Sequence, residues 1–326
     1  MTRISVAICT YNGEKYLPEQ LASIAAQTHL PDELVVCDDC SSDSTPEIIK
    51  GFAGAAPFSV RFIRNPINLR STKNFEQAIA LCSGDFIALC DQDDVWLPEK
   101  LARQLAILES DPSLGGVFSD AELIDASSKP VGKRLWTTFL FTPRDQSRFQ
   151  AGLWAEVMLK GNVVTGATLM FRASLRPYFM PIPAIWVHDA WIVWMLMAHS
   201  KLAFISEPLV QYRLHSGQQI GVDESALPAL PLRRRLERGK HAEPAKHRAE
   251  AAGFEELRRN LLASDEVRNR DTAQRLQKKI AFLRDRAAPY TSRPTQALQL
   301  LMRAGDYQRY ERSWKSFVRD IVMVFV

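Results

Sequence analysis

The chain has 326 residues, a length that suits one large domain with an extension or two modest domains. Hydrophobic residues make up 46% of it and charged residues 24%, as in ordinary globular proteins, and no apolar run approaches the roughly 20 residues that a membrane-spanning helix needs. The first residues, MTRISVAICTYN, lack a signal-peptide layout, because polar residues follow a very short apolar stretch. Secreted and membrane-spanning classes are therefore disfavoured, and we expect a cytoplasmic protein.

Charge is divided unevenly along the chain. Residues 1–230 contain 19 Lys and Arg against 25 Asp and Glu, whereas residues 231–326 contain 22 against 12. This asymmetry predicts an acidic body with a basic extension that meets anionic lipid or nucleic acid. The five cysteines all lie in the first 90 residues, in or beside predicted strands, which favours reduced core thiols over disulfides.

Strand and helix patterns alternate four times in the first part of the chain. Short apolar runs predict strands over residues 4–8, 33–37, 60–63 and 86–89. Helical spacing predicts helices that begin near Leu17, cover residues 46–52, contain Phe75 and follow Pro98. This alternation predicts an α/β fold with a parallel sheet, in which ligands bind beyond the carboxyl ends of the strands.

Each of these four predicted strands runs into a polar cluster. The clusters are Thr10-Tyr11-Asn12, Asp38-Asp39, residues 65–73, and Asp91 to Asp93. Because the carboxyl ends of parallel strands share one edge of the sheet, the clusters predict a single binding site there. There is no Gly-x-Gly-x-x-Gly after the first strand and no Walker loop, which disfavours ordinary dinucleotide and P-loop sites.

Asp91 and Asp93 are candidates for metal binding. They leave a buried strand two residues apart, and their side chains lie on one side because strand side chains alternate with period two. Their hard oxygen atoms suit Mg²⁺ or Mn²⁺, with a substrate diphosphate completing the coordination shell. The alternative is a solvated acidic turn that caps the next helix.

Asp39 is the candidate for holding a nucleoside, because its carboxylate can accept hydrogen bonds from a ribose hydroxyl or a base N–H. The alternative is that residues 38–43 form an Asx turn and cap the next helix. Lys73 and Arg70 are candidates either for a phosphate contact or for solvated surface cations.

The alternation weakens after residue 115. We predict strands over residues 116–119, 121–125, 162–171 and 201–205, a long polar excursion over the site at 127–155, and a proline-rich loop at 176–187. Gly166 indicates a place where the backbone approaches another group closely. Asp189 opens the next helix and, taken alone, is a cap. Trp191 in that helix either stacks on a sugar or packs in the core.

Together these clusters resemble the family 2 glycosyltransferases of GT-A fold. The resemblance rests on SVAICTYNGEKYLPEQLASIAAQT, LVVCDDCSSDST, NLRSTKNFEQAIALCSGDFIALCDQDDVW, GNVVTGATLMFR, HDAWI and YRLHSGQQIG, and it covers residues 3–222. It implies a Rossmann-like, mostly parallel sheet flanked by helices. It also implies transfer of a sugar from a nucleotide-sugar donor to an acceptor hydroxyl, with inversion of the anomeric centre. Two positions depart from the family pattern: Gln92 lies within the metal motif, and Arg70 replaces a usual glycine.

The resemblance also assigns roles to individual positions. Asp189 becomes the general base, which must take the proton of the acceptor hydroxyl as that hydroxyl attacks. His215 becomes a metal ligand or a contact to the diphosphate. The expected nucleotide-binding residues are Thr10, Tyr11, Asn12, Asp39, Asn68, Lys73 and Asp91, of which the resemblance assigns Thr10, Tyr11 and Asp39 to the nucleoside. The expected metal ligands are Asp91, Asp93 and His215, and the expected acceptor-binding residues are Trp96, Gly166, His188 and Trp191.

The form DQDDVW with a later His-Asp is similar to bacterial rhamnosyltransferases that use dTDP-rhamnose. We therefore expect transfer of L-rhamnose to a cell-surface or lipid-linked glycan, with Mg²⁺ or Mn²⁺ as cofactor. One alternative keeps the fold and uses UDP-galactose or UDP-N-acetylglucosamine, and another is a nucleotide-sugar-binding protein without turnover. A nucleic-acid binder is disfavoured, because the acidic body offers no basic groove with stacking aromatics.

We predict a glycosyltransferase domain over residues 1–222 and a basic helical extension over residues 223–326. Within the first, residues 1–115 form the nucleotide-binding half and residues 116–222 the acceptor-binding half. In the last segment, aromatic residues recur every three or four positions with Arg and Lys between them. Such a helix either lies on the inner face of the plasma membrane, which suits a lipid-linked acceptor, or docks on its own domain or on the twin subunit of a homodimer.

Overall fold

The computed structural model describes residues 2–216, 218, 232–263, 266–287, 301–312 and 315–325. The chain forms two compact units, of which the first contains Met1–Thr142 and Val164–Gly221 and the second contains Pro143–Val163 and Val222–Val326. The second unit therefore includes a segment, residues 143–163, that the sequence assigned to the first domain. The functional division of the first domain into two halves stays a prediction.

The first unit is built on one nine-stranded sheet. The order of the main path is β3-β2-β1-β4-β8-β6-β9-β5, and β7 pairs with β6. The strands are β1 Ile4–Thr10, β2 Glu33–Asp38, β3 Ser59–Arg64, β4 Phe86–Asp91, β5 Val95–Trp96, β6 Leu114–Ile124, β7 Pro130–Arg134, β8 Leu169–Arg172 and β9 Lys201–Arg213.

The parallel part of the sheet sets the position of the polar clusters. Strand β1 pairs in parallel with β2 and β4, and the registers place Thr10 opposite Asp38 and Cys9 opposite Asp91. The polar residues that follow these three strands therefore lie at one edge, as predicted. The runs are apolar because both faces of a parallel sheet are covered, and every residue of β2 from Leu34 to Asp38 is buried.

The helices occupy the connections that the sequence pattern predicted, and further ones appear in the second half of the chain. Those with ranges between 143 and 163 or beyond 231 belong to the second unit. The helices are α1 Leu17–Ala25, α2 Thr45–Ala53, α3 Arg70–Leu81, α4 Lys100–Ser110, α5 Leu135–Thr138, α6 Pro143–Gln150, α7 Trp154–Met158, α8 Arg176–Phe179, α9 His188–His199, α10 Leu232–Leu262, α11 Val267–Arg286, α12 Ala304–Tyr310 and α13 Lys315–Phe325.

The predicted polar excursion at residues 127–155 is wrong, because this stretch contains β7, α5, α6 and α7. Before Pro143 its buried apolar residues are few but large, and they pack in the core of the first unit. The Trp136 ring lies 5.8 Å from Phe118 and 5.0 Å from Phe141. The mostly polar composition of this stretch did not indicate these contacts, because a short helix needs only one or two buried aromatic side chains to dock.

The prediction for residues 162–171 is only partly right, because the strand is limited to β8 and a 3-10 turn, Gly166–Thr168, precedes it. Strand β8 inserts between β4 and β6 and is antiparallel to both. Strand β9 is longer than predicted, since it pairs in parallel with β6 and then, near its end, antiparallel with β5. Local apolar patterns cannot specify these long-range pairings.

The described part of the second unit contains helices α6, α7 and α10 to α13. Residues 143–163 pack there through long side chains: Arg275 Nη1 lies 2.9 Å from Glu156 Oε1, and Arg312 Nη2 donates to the Asn162 carbonyl at 2.7 Å. Tyr307 and Tyr310 of the aromatic stripe are buried, which agrees with a helix docked within its own unit. None of the helices in the described ranges is both long and apolar enough to cross a membrane.

Candidate active site

The fold brings the three predicted acids Asp91, Asp93 and Asp189 together at the carboxyl edge of the sheet. Asp91 ends β4, and Asp189 is the second residue of α9. Burial raises the pKa of Asp91 to about 8, and the negative charges of Asp93 and Asp189 add to that rise. The arrangement concentrates negative charge, which a bound cation would stabilise.

Asp189 combines a structural role with the properties of a base. Its Oδ2 accepts a hydrogen bond from the Gly166 N–H at 3.0 Å, and its Oδ1 accepts one from the Ala190 N–H. The capping alternative is therefore correct in part. Burial nevertheless raises the pKa of Asp189 to about 6, although these hydrogen bonds oppose the rise. A carboxylate with such a pKa can take up a proton near neutral pH.

Gly166 lies where the backbone must approach other groups, as predicted. A Cβ atom on it would be 3.0 Å from His188 Nε2 and 3.6 Å from the Asp189 Cβ. Glycine is required here for space rather than for backbone conformation. The assignment of Gly166 to acceptor binding stays a prediction.

The prediction that His188 contacts an acceptor is wrong for the structure as described, because its ring is 5% exposed and stacks on Phe75 at 3.8 Å. Neither ring nitrogen has a hydrogen-bond partner among the described residues. Burial lowers the pKa of His188 to about 3, so the ring is neutral. The ring contributes packing at the start of α9 and thereby supports Asp189.

Trp96 and Trp191 are core residues, so their predicted acceptor contacts are also wrong. Each is 2% exposed. The ammonium of the buried Lys100 lies 3.6 Å from the centre of the Trp96 ring, and the Trp191 indole N–H donates to the Phe179 carbonyl at 2.9 Å. Neither indole has a face free for a sugar. The packing alternative considered for Trp191 is the correct one.

Asp39 shapes the proposed nucleoside side of the edge. Its Oδ1 accepts hydrogen bonds from the Leu69 N–H at 2.7 Å and from Asn65 Nδ2 at 2.9 Å, and its Oδ2 accepts from the Arg70 N–H at 2.9 Å. It therefore caps α3, whereas Asp43 accepts from the Thr45 N–H at the start of α2. Its role toward a nucleoside stays a prediction.

The loop after β1 is tied to its neighbours. The Thr10 hydroxyl donates to Asp38 at 2.9 Å, and Asn12, at φ +46°, accepts from the Ser42 N–H at 2.8 Å. Tyr11 is exposed, but its backbone N–H and carbonyl both bond the Gln92 side chain, at 2.9 and 3.1 Å. Gln92 thus joins this loop to the acidic turn, which explains an amide at that position.

The predicted phosphate side differs from expectation at Lys73. Its ammonium is 2.8 Å from Glu76 Oε2 and donates to the Ile182 carbonyl at 2.7 Å, so the charge is already compensated. Asn68 shapes the backbone instead: its Nδ2 donates to the Asp39 carbonyl at 3.2 Å, and its Oδ1 accepts from the Arg70 N–H at 3.1 Å. Both nucleotide assignments stay predictions.

Two of the three predicted metal ligands meet directly, since Asp93 Oδ2 lies 2.8 Å from His215 Nε2. In kind, the carboxylates of Asp91 and Asp93 and the imidazole of His215 fit Mg²⁺ or Mn²⁺. Among the described residues, however, no group of three or more such side chains is already arranged around a metal position. The metal site therefore stays a prediction.

Sequence reasoning missed Arg213, which is fully buried at the end of β9. Its Nε donates to the Asp93 carbonyl at 2.7 Å, and its backbone N–H donates to Asp94 Oδ1 at 3.0 Å. The sequence did contain an indication of this role: Arg213 is a charged residue at the end of an apolar strand, two positions before His215. A buried arginine requires several acceptors, and the acidic turn supplies them.

The chain is similar to proteins that transfer sugars. The family model described as "Glycosyl transferase family 2" matches residues 5–172. An uncharacterized protein of Mycobacterium tuberculosis is 28% identical over 222 residues, which are 65% of this chain but 59% of that protein. WfgD of Escherichia coli, a UDP-Glc:α-D-GlcNAc-diphosphoundecaprenol β-1,3-glucosyltransferase, is 29% identical over 130 residues, or 40% of this chain and 49% of WfgD.

Among solved structures, the chain is similar to residues 1–349 of Staphylococcus aureus TarS in complex with UDP-GlcNAc. The TM-score is 0.58 at 17% identity, and the match covers 98% of this chain and 82% of that one. The fold is GT-A, as the resemblance implied. Since the family model matches just over half of the residues, the chain belongs to glycosyl transferase family 2.

Proposed function

We propose that this protein is an inverting glycosyltransferase that moves a sugar from a nucleotide-sugar donor to an acceptor hydroxyl. The observation that carries the proposal is the meeting of Asp189 with Asp91 and Asp93, from distant parts of the chain, at the carboxyl edge of the sheet. Inverting transfer requires a base on the acceptor side and neutralisation of a diphosphate on the donor side. Asp189 serves the first need, and Asp91 and Asp93 together serve the second.

Asp189 takes the proton from the acceptor hydroxyl as its oxygen attacks the anomeric carbon and the bond to the diphosphate breaks. The Gly166 N–H orients the carboxylate through the 3.0 Å hydrogen bond. Asp91, Asp93 and His215 would hold Mg²⁺ or Mn²⁺, which when bound supplies Lewis acidity toward the departing diphosphate. Asp39, at the end of β2, remains the proposed nucleoside contact.

The proposed donor is dTDP-rhamnose, on the sequence form DQDDVW with the later His-Asp. A UDP-sugar is the second candidate, favoured by the UDP-glucose donor of WfgD and by the UDP-GlcNAc bound to TarS. The proposed acceptor is a cell-surface or lipid-linked glycan. A lipid-linked acceptor agrees with the diphosphoundecaprenol acceptor of WfgD and with the basic character of the last hundred residues, which suits a membrane surface.

Nucleotide binding tests the donor side. The melting temperature is measured with dTDP, UDP and GDP, each with and without Mn²⁺; a ligand at 100 times its Kd stabilises the folded protein by about 2.7 kcal/mol. A metal-dependent rise in the melting temperature with dTDP supports dTDP-rhamnose as the donor. A rise with UDP alone would instead identify a UDP-sugar as the donor. If no nucleotide shifts the midpoint, the proposed function is wrong.

Two variants separate the roles of the acids. Asp189→Asn is expected to keep the nucleotide-induced shift but to lose about 10²–10⁴-fold in turnover, because only the base is removed. Asp93→Ala is expected to lose the metal-dependent shift as well. Asp85→Asn is the matched control. Asp85 directly precedes β4, at the end of the strand opposite Asp91, and accepts a hydrogen bond from the Arg3 N–H. Parent-like transfer by both site variants contradicts the assignment.

A further inference from the structure

Arg213 bonds three separate parts of the first unit through its guanidinium. Its Nε donates to the Asp93 carbonyl at 2.7 Å, within the acidic turn. Its Nη2 lies 2.7 Å from Glu19 Oε2 on α1. Its Nη1 donates to the Ser128 hydroxyl at 2.8 Å, in the turn between β6 and β7. All three nitrogen atoms are therefore hydrogen-bonded.

The backbone of Arg213 makes a second hydrogen bond to the acidic turn: its N–H donates to Asp94 Oδ1 at 3.0 Å. Asp94 is 1% exposed. An acid in that position needs donors and nearby positive charge. Two consecutive residues of the turn, Asp93 and Asp94, are thus fixed by one residue of β9.

Arg213 also determines where His215 lies. It is the last residue of β9, and His215 follows two positions later, with Nε2 2.8 Å from Asp93 Oδ2. The Tyr16 ring packs against both residues: its centre is 4.7 Å from the Arg213 guanidinium carbon and 4.7 Å from the His215 ring. The distance between the two candidate metal ligands therefore depends on the anchor that Arg213 provides.

We infer that Arg213 is a positioning residue that fixes Asp93 and His215 in the relative arrangement needed to bind a divalent cation. The inference rests on the proposed function. A direct contact with substrate is not its role, because the side chain is fully buried and its three nitrogen atoms bond protein oxygen atoms. Arginine suits this role because its rigid fork presents donors in several directions, whereas a lysine ammonium is a single point charge.

The test compares the full-length chain with Arg213→Lys and Arg213→Met. Arg172→Met is the matched control: Arg172 is partly buried, and its Nε donates to the Leu114 carbonyl at 2.8 Å, yet it lies in β8, away from the acidic turn. Two quantities are measured. The first is amide hydrogen exchange of residues 91–96 in metal-free protein, and the second is the Kd for Mn²⁺ alone, from the electron paramagnetic resonance signal of free Mn²⁺.

We expect faster exchange at residues 91–96 in both Arg213 variants and a Kd for Mn²⁺ that rises about 10–100-fold, the usual cost of losing a residue that orients metal ligands. Arg172→Met should lower the melting temperature without changing the Kd. Unchanged exchange in the Arg213 variants overturns the inference, as does faster exchange with a parent-like Kd. Equal loss of Mn²⁺ affinity in Arg172→Met also overturns it. If the parent chain binds no Mn²⁺, the proposed metal-dependent function is wrong, and so is the inference that Arg213 positions metal ligands. In that case the exchange rates still show whether Arg213 stabilises the acidic turn.

Discussion

Oδ2 of Asp93 lies 2.8 Å from Nε2 of His215, although 122 residues separate them. The short strand β5 explains this meeting, because Val95 pairs with Gln211 and Trp96 with Val210 in antiparallel register. The chain therefore runs from the acidic turn into a sheet pairing whose partner leads directly to His215. Sheet pairing, rather than any local preference, brings the two candidate ligands together.

The pH dependence of turnover should report Asp189. Its pKa is raised to about 6, and the proposed mechanism needs the ionised form, so kcat should fall about tenfold per pH unit below that value. The measurement is kcat at saturating donor and Mn²⁺ between pH 5 and 8. A rate that is constant down to pH 5 would contradict the role of base.

Filling the space at Gly166 should damage the site. In Gly166→Ala the added carbon would lie 3.0 Å from His188 Nε2, so the packed His188 ring must give way by a few tenths of an ångström. We expect a loss of about 1–3 kcal/mol in the free energy of unfolding, measured by urea denaturation, and lower turnover. Gly51→Ala is the control: it lies within α2 with nothing within 4 Å, and it should gain about 0.5–1 kcal/mol. Equal stability of the two variants would disprove the packing argument.

Relieving the backbone at Arg70 should stabilise the protein. Arg70 has φ +63°, in the left-handed region that costs residues with a Cβ about 1–2 kcal/mol. Arg70→Gly keeps the N–H that donates to Asp39 and should be about 1 kcal/mol more stable than Arg70→Ala, which removes the same side chain but keeps the strain. Thermal unfolding checks this difference, and a more stable alanine variant would refute the strain.

His188 should make the folded state sensitive to acid. Its folded pKa is lowered to about 3, so below about pH 6.5 the unfolded chain binds a proton that the folded chain does not. The free energy of unfolding should therefore fall with decreasing pH, by at most about 1.4 kcal/mol per unit from this residue, until pH approaches 3. In His188→Leu, the free energy of unfolding, measured by urea denaturation at pH 4–7, should depend less steeply on pH, by the equivalent of about one proton. An unchanged slope would contradict a buried neutral ring.

Much of the fold of residues 1–115 follows from the sequence. Short β-branched runs separated by helical spacing specify β1 to β4 and their helices, because burial on both faces demands continuous apolar residues. Parallel connection then forces the carboxyl ends to one edge, so Asp39 and Asp91 both lie at that edge without further information. The close approach at Gly166 was predictable for a similar reason, since a glycine within an apolar stretch indicates limited space.

The tertiary structure decided the rest, because it depends on which distant partner each side chain finds. Trp96 and Trp191 can stack on a sugar or fill a core, and only their neighbours Lys100 and Phe179 settle the matter. Lys73 is a candidate phosphate contact by sequence, and only the structure shows that its ammonium donates a hydrogen bond to the Ile182 carbonyl, 109 residues away. Likewise, the insertion of β8, the length of β9 and the anchoring by Arg213 arise from long-range pairing. A sequence pattern records the polarity of each residue but not the identity of the group it will meet.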